Sequence, residues 1–261
     1  MLIKNIKEYC LSKRGAEEVY PFGEIPICYK ISGKIFAQLY PQQDNYKITL
    51  KCEPTLADFY RQQYKGTVVR GYHCPPVQQP YYNTVYINDM DENVLLNMID
   101  HSYERVLGAL TKKEYKELLG VITKERMIDM GGIYIETIQS GFDQYSCELL
   151  SGTQEELYQK INEIRLKNYE VHSYVDFYYG KLSYEERTNL RAALSDKAFS
   201  ILNMYEYLKE IVFIPLYDDI LYLTAELNAK ELLFCTYYFC KYPCTIWGNY
   251  NLTYPMFAKK E

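Results

Sequence analysis

The chain has 261 residues, 48% of them hydrophobic and 24% charged, and a formal net charge of −5 at pH 7. That length and balance fit a soluble globular protein of one large domain or two modest ones. Residues 1–120 carry 15 Lys+Arg against 14 Asp+Glu (+1) and residues 121–261 carry 14 against 20 (−6), so neither half has the basic excess that announces nucleic-acid binding by itself.

The first residues, MLIKNIKEYCLSKRG, lack a long apolar core and a small-residue cleavage site, so they read as a short amphipathic helix with Leu2, Ile3, Ile6, Tyr9 and Cys10 on one side. AEEVYPFG follows as a loop. Ile25, Ile27, Tyr29 and Ile31 then alternate as a strand, Ser32-Gly33 signals a tight turn, and IFAQLY returns as its partner. PQQDN makes the next turn. Tyr46–Cys52 alternates again, with Ile48, Leu50 and Cys52 on one face and Lys47, Thr49 and Lys51 on the other. Pro54 suits the first turn of a helix that buries Leu56, Phe59, Tyr60 and Tyr64. The stretch GYHCPPVQQPYYNTVYI is a proline-stiffened connection into a strand in which Tyr82, Thr84 and Tyr86 face opposite to Asn83, Val85 and Ile87. DMDEN opens a helix buried through Leu95, Ile99, Tyr103, Val106 and Leu110.

This order gives an α+β fold: an antiparallel sheet with helices on one face and the other face toward water. On that outer face Lys30, Lys47 and Lys51, with Arg70 near the rim, would form a basic strip interleaved with Tyr72, Tyr82 and Tyr86. Lysine and arginine contacts to phosphate supply most nonspecific DNA affinity. The competing reading is a solvated sheet face whose lysines discourage edge pairing.

KRGAEEVYPFG, LKCEP, GYH, YNTVYI and IDHSYERVLGAL, in that order and spacing, resemble the MmcQ/YjbR family over roughly residues 1–115. The resemblance implies a two-layer domain of the CyaY-like or secretion-chaperone-like kind, DNA binding, and no catalytic residues. It also makes His73 part of the GYH turn and a further DNA-contact candidate. The family's usual loop after GYH carries a lysine, a histidine and a tryptophan, whereas here CPPVQQPYY removes that positive charge.

A domain boundary is expected near residue 121, within a helical stretch at 116–130 that turns at Gly131-Gly132. Beyond it, Ile133–Ile138, Tyr145–Leu150 and Glu170–Tyr179 read as strands. Thr153 with Glu156 and Ser183 with Glu186 read as capping boxes. IVFIPLY and ILYLTAEL flank Asp218-Asp219 like a hairpin; LLFCTYYFCKY reads as a strand or a buried helix, and TIWGNYNLTY as a further strand. The result is a second α+β domain, acidic and tyrosine-rich.

The residues suggest no catalytic, metal or cofactor site. His73 and Cys74 are adjacent and point apart on an extended chain, and Cys235, Cys240 and Cys244 sit among aromatic residues that suit buried thiols. Eight cysteines without paired spacing, and no segment of membrane-spanning length, suggest a cytoplasmic protein. Two readings stay open. The first domain docks on double-stranded DNA through its open sheet face and adjacent loop, or that face and the acidic domain bind a protein partner.

Overall fold

The computed structural model describes residues 3–42 and 46–260, so Leu2, most of the PQQDN turn, and the side chain of Ile3 lie outside the described residues. The chain divides into two compact units, residues 1–118 and 119–261. Both are α+β. Among the described residues no helix is long and apolar enough to cross a membrane.

The first unit runs α1 (Ile3–Leu11), β1 (Glu17–Val19), β2 (Ile27–Ile31), β3 (Lys34–Tyr40), β4 (Lys47–Lys51), α2 (Pro54–Gln63), β5 (Val68–Arg70), β6 (Tyr82–Tyr86) and α3 (Glu92–Leu107). Helix α4 (Lys112–Leu119) carries the chain into the second unit. The strands form one antiparallel sheet in the order β1-β2-β3-β4-β6-β5. Ser32 and Gly33 both have positive φ at the β2–β3 turn, the conformation a two-residue hairpin requires. A bulge leaves Phe36 unpaired in β3, and its ring meets Tyr103 of α3 edge-on at 5.6 Å.

Cross-strand pairing sorts the side chains. Leu39, Ile48 and Val85 are partners in one apolar, fully buried row. Helices α2 and α3 cover this side. Asn83 accepts from Arg61 Nη1 at 2.7 Å and donates to the Ala57 carbonyl of α2 at 3.1 Å. Ser102 of α3 donates to the Phe36 carbonyl and accepts from the Lys51 amide, tying β3 to β4.

The alternate rows, Gln38–Thr49–Thr84 and Tyr40–Lys47–Tyr86, belong to the other face. That face is not open as the sequence suggested. Lys47 is only 4% exposed, and Thr49 and Thr84 are buried. The segment after β5 folds back across them.

The second unit runs α5 (Lys124–Asp129), α6 (Ile138–Gln144), β7 (Ser146–Ser151), α7 (Gln154–Asn168), β8 (Ser173–Phe177), α8 (Tyr184–Ala193), α9 (Asp196–Asn203), β9 (Val212–Pro215), α10 (Asp218–Ala229), β10 (Tyr237–Phe239), β11 (Cys244–Ile246) and β12 (Thr253–Ala258). Its antiparallel sheet has the order β7-β12-β11-β10-β8-β9. Both expected capping boxes form, at Thr153/Glu156 and Ser183/Glu186. Met127, Tyr174, Phe213, Tyr238 and Cys240 make one core cluster, and Ile133, Ile135 and Phe257 another.

Several expected elements are corrected. Asp218-Asp219 is not a hairpin tip but the first turn of α10, where acidic side chains complement the helix dipole. ILYLTAEL is buried on nearly every side of that helix, so it lacks the 3.6-residue period that identifies a surface helix. Ile133–Ile138 is not a strand: Ile133 and Ile135 are buried in irregular chain, and Thr137 caps α6. The strand expected over 170–179 is limited to β8, flanked by short 3-10 turns. Residues 116–130 form two helices, α4 and α5, because Gly120 adopts a left-handed φ of 66° and ends the first. AEEVYPFG contributes the edge strand β1.

Candidate functional site

The Gly71–Tyr81 connection builds the site. Gly71 donates its amide to the Tyr82 carbonyl at 3.1 Å, and a Cβ there would lie 2.7 Å from Tyr82 Cβ and 2.8 Å from Cys74 Sγ. Only glycine permits that approach. The Cys74 amide donates back to the Gly71 carbonyl, closing a turn with His73 at φ 56°. The Pro75 carbonyl then accepts from both Gln78 and Gln79, and the Cys52 amide donates to the Tyr81 carbonyl. The Tyr72 amide donates to Thr84 Oγ1 at 2.7 Å, and Thr84 and Thr49 hydroxyls share a hydrogen bond. The loop is thereby pinned over the second face of the sheet.

Between the loop, the Phe22–Pro26 segment and the sheet lies a cavity of about 410 Å³, lined by Phe22, Ile25, Pro26, Gln38, Tyr40, Tyr72, His73, Cys74, Pro75, Gln78 and Tyr82. Tyr72 meets Tyr40 edge-on at 5.4 Å and packs against His73 at 4.0 Å. The Lys47 ammonium sits 3.5 Å from the Tyr72 ring centroid and 5.5 Å from that of Tyr40. Its charge is held by aromatic faces instead of being offered to solvent.

Burial raises the Cys74 thiol above its ordinary value, so it stays protonated and poorly nucleophilic near neutrality. Burial also pushes the Tyr40 hydroxyl up to about 12, with Cys28, Cys74 and Tyr72 adding to it, and raises Tyr82. These groups are hydrogen-bonding neutrals. Among the described residues, no three His, Cys, Asp or Glu side chains gather as metal ligands.

Of the residues expected to form the basic strip, the structure brings Tyr72, His73 and Tyr82 together on the cavity wall. The cations do not join them. Lys47 lies beneath Tyr72; Lys30 pairs with Glu17 across the β1–β2 edge at 3.2 Å; Arg70 is exposed on the far edge strand β5. Lys51 is half-buried, and burial, then Lys34 and Arg105, lower its ammonium below the ordinary lysine range. Tyr86 is half-buried opposite Lys47. Phe22, Ile25, Pro26, Gln38, Tyr40, Cys74, Pro75 and Gln78 complete the wall, and sequence reasoning missed their convergence. The three prolines of the loop and the exposed aromatic of YPFG are the signals that carried it.

The family model for YjbR matches residues 11–105. Those residues are a YjbR domain. The uncharacterized protein YjbR of Escherichia coli K12 is 25% identical over 114 residues, covering 43% of this chain and 93% of that relative, and the protein of the same description in strain O157:H7 matches equally. A crystal structure from Deinococcus radiodurans, described as a DUF419 domain, is 23% identical and covers 44% of this chain and 86% of its own, with a TM-score of 0.41. A Pseudomonas syringae protein structure is 20% identical with a TM-score of 0.33, covering 39% and 96%. Residues 11–105 include every residue that lines the cavity and end before the second unit begins.

Proposed function

We propose that the YjbR domain binds an extended, proline-containing segment of a protein partner in the cleft beneath Tyr72. One observation carries this reading: apolar and aromatic side chains stay exposed around a preformed cavity. Phe22 is 62% exposed and Tyr72 40%, both on the cavity wall, and Val77 at 78% lies on the loop that forms it. Clustered exposed apolar groups at the mouth of a cavity mark interaction sites. Proline-rich segments dock in grooves lined with aromatic rings and pre-set their own extended conformation, and their free carbonyls need donors. Tyr82, Gln38 and Gln78 bring a hydroxyl and amides of that kind to the wall, and the Tyr40 hydroxyl donates to Gln38 Oε1 at 3.5 Å.

Docking on double-stranded DNA, which the family resemblance implies, calls for several cations presented together to phosphates. Lys30 and Lys47 are already engaged by Glu17 and by aromatic rings, which supports the peptide reading instead. A fluorescein-labelled proline-rich peptide, its alanine-for-proline counterpart and a labelled duplex, titrated against the full chain by anisotropy, separate the two. The expected result is peptide binding that depends on the prolines, changes little between about 50 and 200 mM salt, and weakens about tenfold in Phe22→Ala or Tyr72→Ala. Duplex binding that collapses with salt and with Lys51→Ala, without peptide binding, would overturn the proposal.

A further inference from the structure

The second unit, although acidic overall, gathers cations and tyrosines around a cavity of about 320 Å³ beside α8. Tyr184, Arg187 and Arg191 stand at i, i+3 and i+7 on that helix, so they share one face. Glu206, Tyr207 and Lys209 close the other side. Three cations meet one carboxylate there, in a half of the chain where acids outnumber bases by 20 to 14.

The two guanidinium groups are held in place before any ligand arrives. Arg187 donates from Nε to the Leu182 carbonyl at 2.9 Å and from Nη2 to the Gly180 carbonyl at 3.3 Å. Neither acceptor cancels its charge. Arg191 donates from Nη2 to Glu206 at 2.7 Å and to Asn203 at 3.1 Å, while its Nε–H is buried without an acceptor among the described residues. Buried donors are rarely left unused. Lys209 is exposed. Tyr184 is 87% exposed at the first position of α8, where the Ser183 capping box already secures the helix start. Its ring contributes little burial to the fold and presents its face to solvent beside fixed cations. Planar cations with aromatic rings beside them are the elements that take a phosphate and stack a base. The volume falls at the small end of ligand sites, about 300 to 1,000 Å³.

We propose that this cavity binds a nucleoside monophosphate, its phosphate on Arg187, Arg191 and Lys209 and its base against Tyr184 or Tyr207. Calorimetric titration of the full chain with 5′-AMP, adenosine, inorganic phosphate and phosphotyrosine tests it. AMP binds saturably, and adenosine and inorganic phosphate each bind at least about tenfold more weakly, because each keeps only one half of the contacts. Lys209→Ala and Tyr184→Ala each weaken AMP about tenfold, with no change in thermal midpoint, since both side chains are exposed. Tyr72→Ala leaves AMP binding unchanged. No saturable AMP binding, phosphotyrosine or inorganic phosphate binding as tightly as AMP, or affinity indifferent to both variants would overturn the assignment.

Discussion

Replacing Asp176 with asparagine makes the second unit more stable at pH 8 than the parent, by a margin that disappears in acid. The Asp176 carboxylate accepts from the Thr236 amide at 2.7 Å and from the Tyr238 hydroxyl at 3.2 Å. Those bonds favour the charged form, but burial outweighs them and raises the group from 3.8 to about 7. In the unfolded chain the carboxyl ionises near its ordinary value. Below about pH 4 both states are protonated and the group has no net effect. As pH rises from there to about 7, only the folded state keeps the proton, so stability declines; above 7 both states are ionised and the full cost remains.

A rise from 3.8 to about 7 corresponds to about 4 kcal/mol, a ceiling because the residue keeps some contact with solvent that screens its charge. Between pH 5 and pH 8 the parent accordingly loses at most about 3 kcal/mol through this group. In Asp176→Asn the new side chain keeps both contacts in neutral form: its carbonyl accepts from Thr236, and its amide donates to the Tyr238 oxygen. Urea unfolding of both proteins at several pH values, followed by the fluorescence of Trp247, reads the second unit specifically, because the chain has one tryptophan. The difference in unfolding free energy between variant and parent should grow by about 1–3 kcal/mol from pH 5 to pH 8. A difference that stays flat, or that narrows above pH 6, would refute the buried-carboxyl argument.

Gly71→Ala pushes a methyl group into Tyr82 and Cys74, both under 3 Å away, so it should lower the stability of the YjbR domain by about 1–3 kcal/mol and displace the loop. In that variant peptide binding by anisotropy should weaken and Cys74 should alkylate faster. Ser102→Ala removes the hydroxyl that joins the Phe36 carbonyl to the Lys51 amide, leaving two backbone groups without it. A loss of about 1–3 kcal/mol in chemical unfolding is expected, with amide exchange at Lys51 accelerated; wild-type protection at Lys51 would count against the bridge.

The elements that are legible in the sequence are those specified by neighbours along the chain. Pro54 and Glu53 start α2, Asp91 starts α3, and Thr153 and Ser183 start α7 and α8 through residues three positions away. The Ser32-Gly33 turn is equally local. Helix α10 is illegible for the opposite reason. Its surroundings bury almost its whole circumference, so apolar residues occupy every side and no period survives. The boundary between strand and irregular chain at 133–138 fails similarly, because alternating burial arises wherever extended backbone lies in a core, hydrogen-bonded into a sheet or not.

The site shows how far alternation carries. It placed Lys47, Thr49, Thr84 and Tyr86 on one side of the sheet, and their cross-strand pairing agrees. Alternation assigns a side; it does not reveal what lies on it. A loop entered through Gly71 and anchored by Thr84 brings Tyr72 over Lys47, and that single long-range contact changes the chemistry of the face. An exposed lysine there would attract phosphate at a distance. Beneath a tyrosine ring it instead packs against that ring and leaves the cleft lined by aromatic surface, amides and hydroxyls, which is the basis of the proposed peptide reading. The cavity beside α8 has the reverse arrangement, with Arg187 held by two backbone carbonyls, Arg191 by Glu206 and Asn203, and Tyr184 turned outward. If both proposals hold, peptide binding to the first unit changes little with salt, whereas nucleotide binding to the second weakens as salt screens its cations.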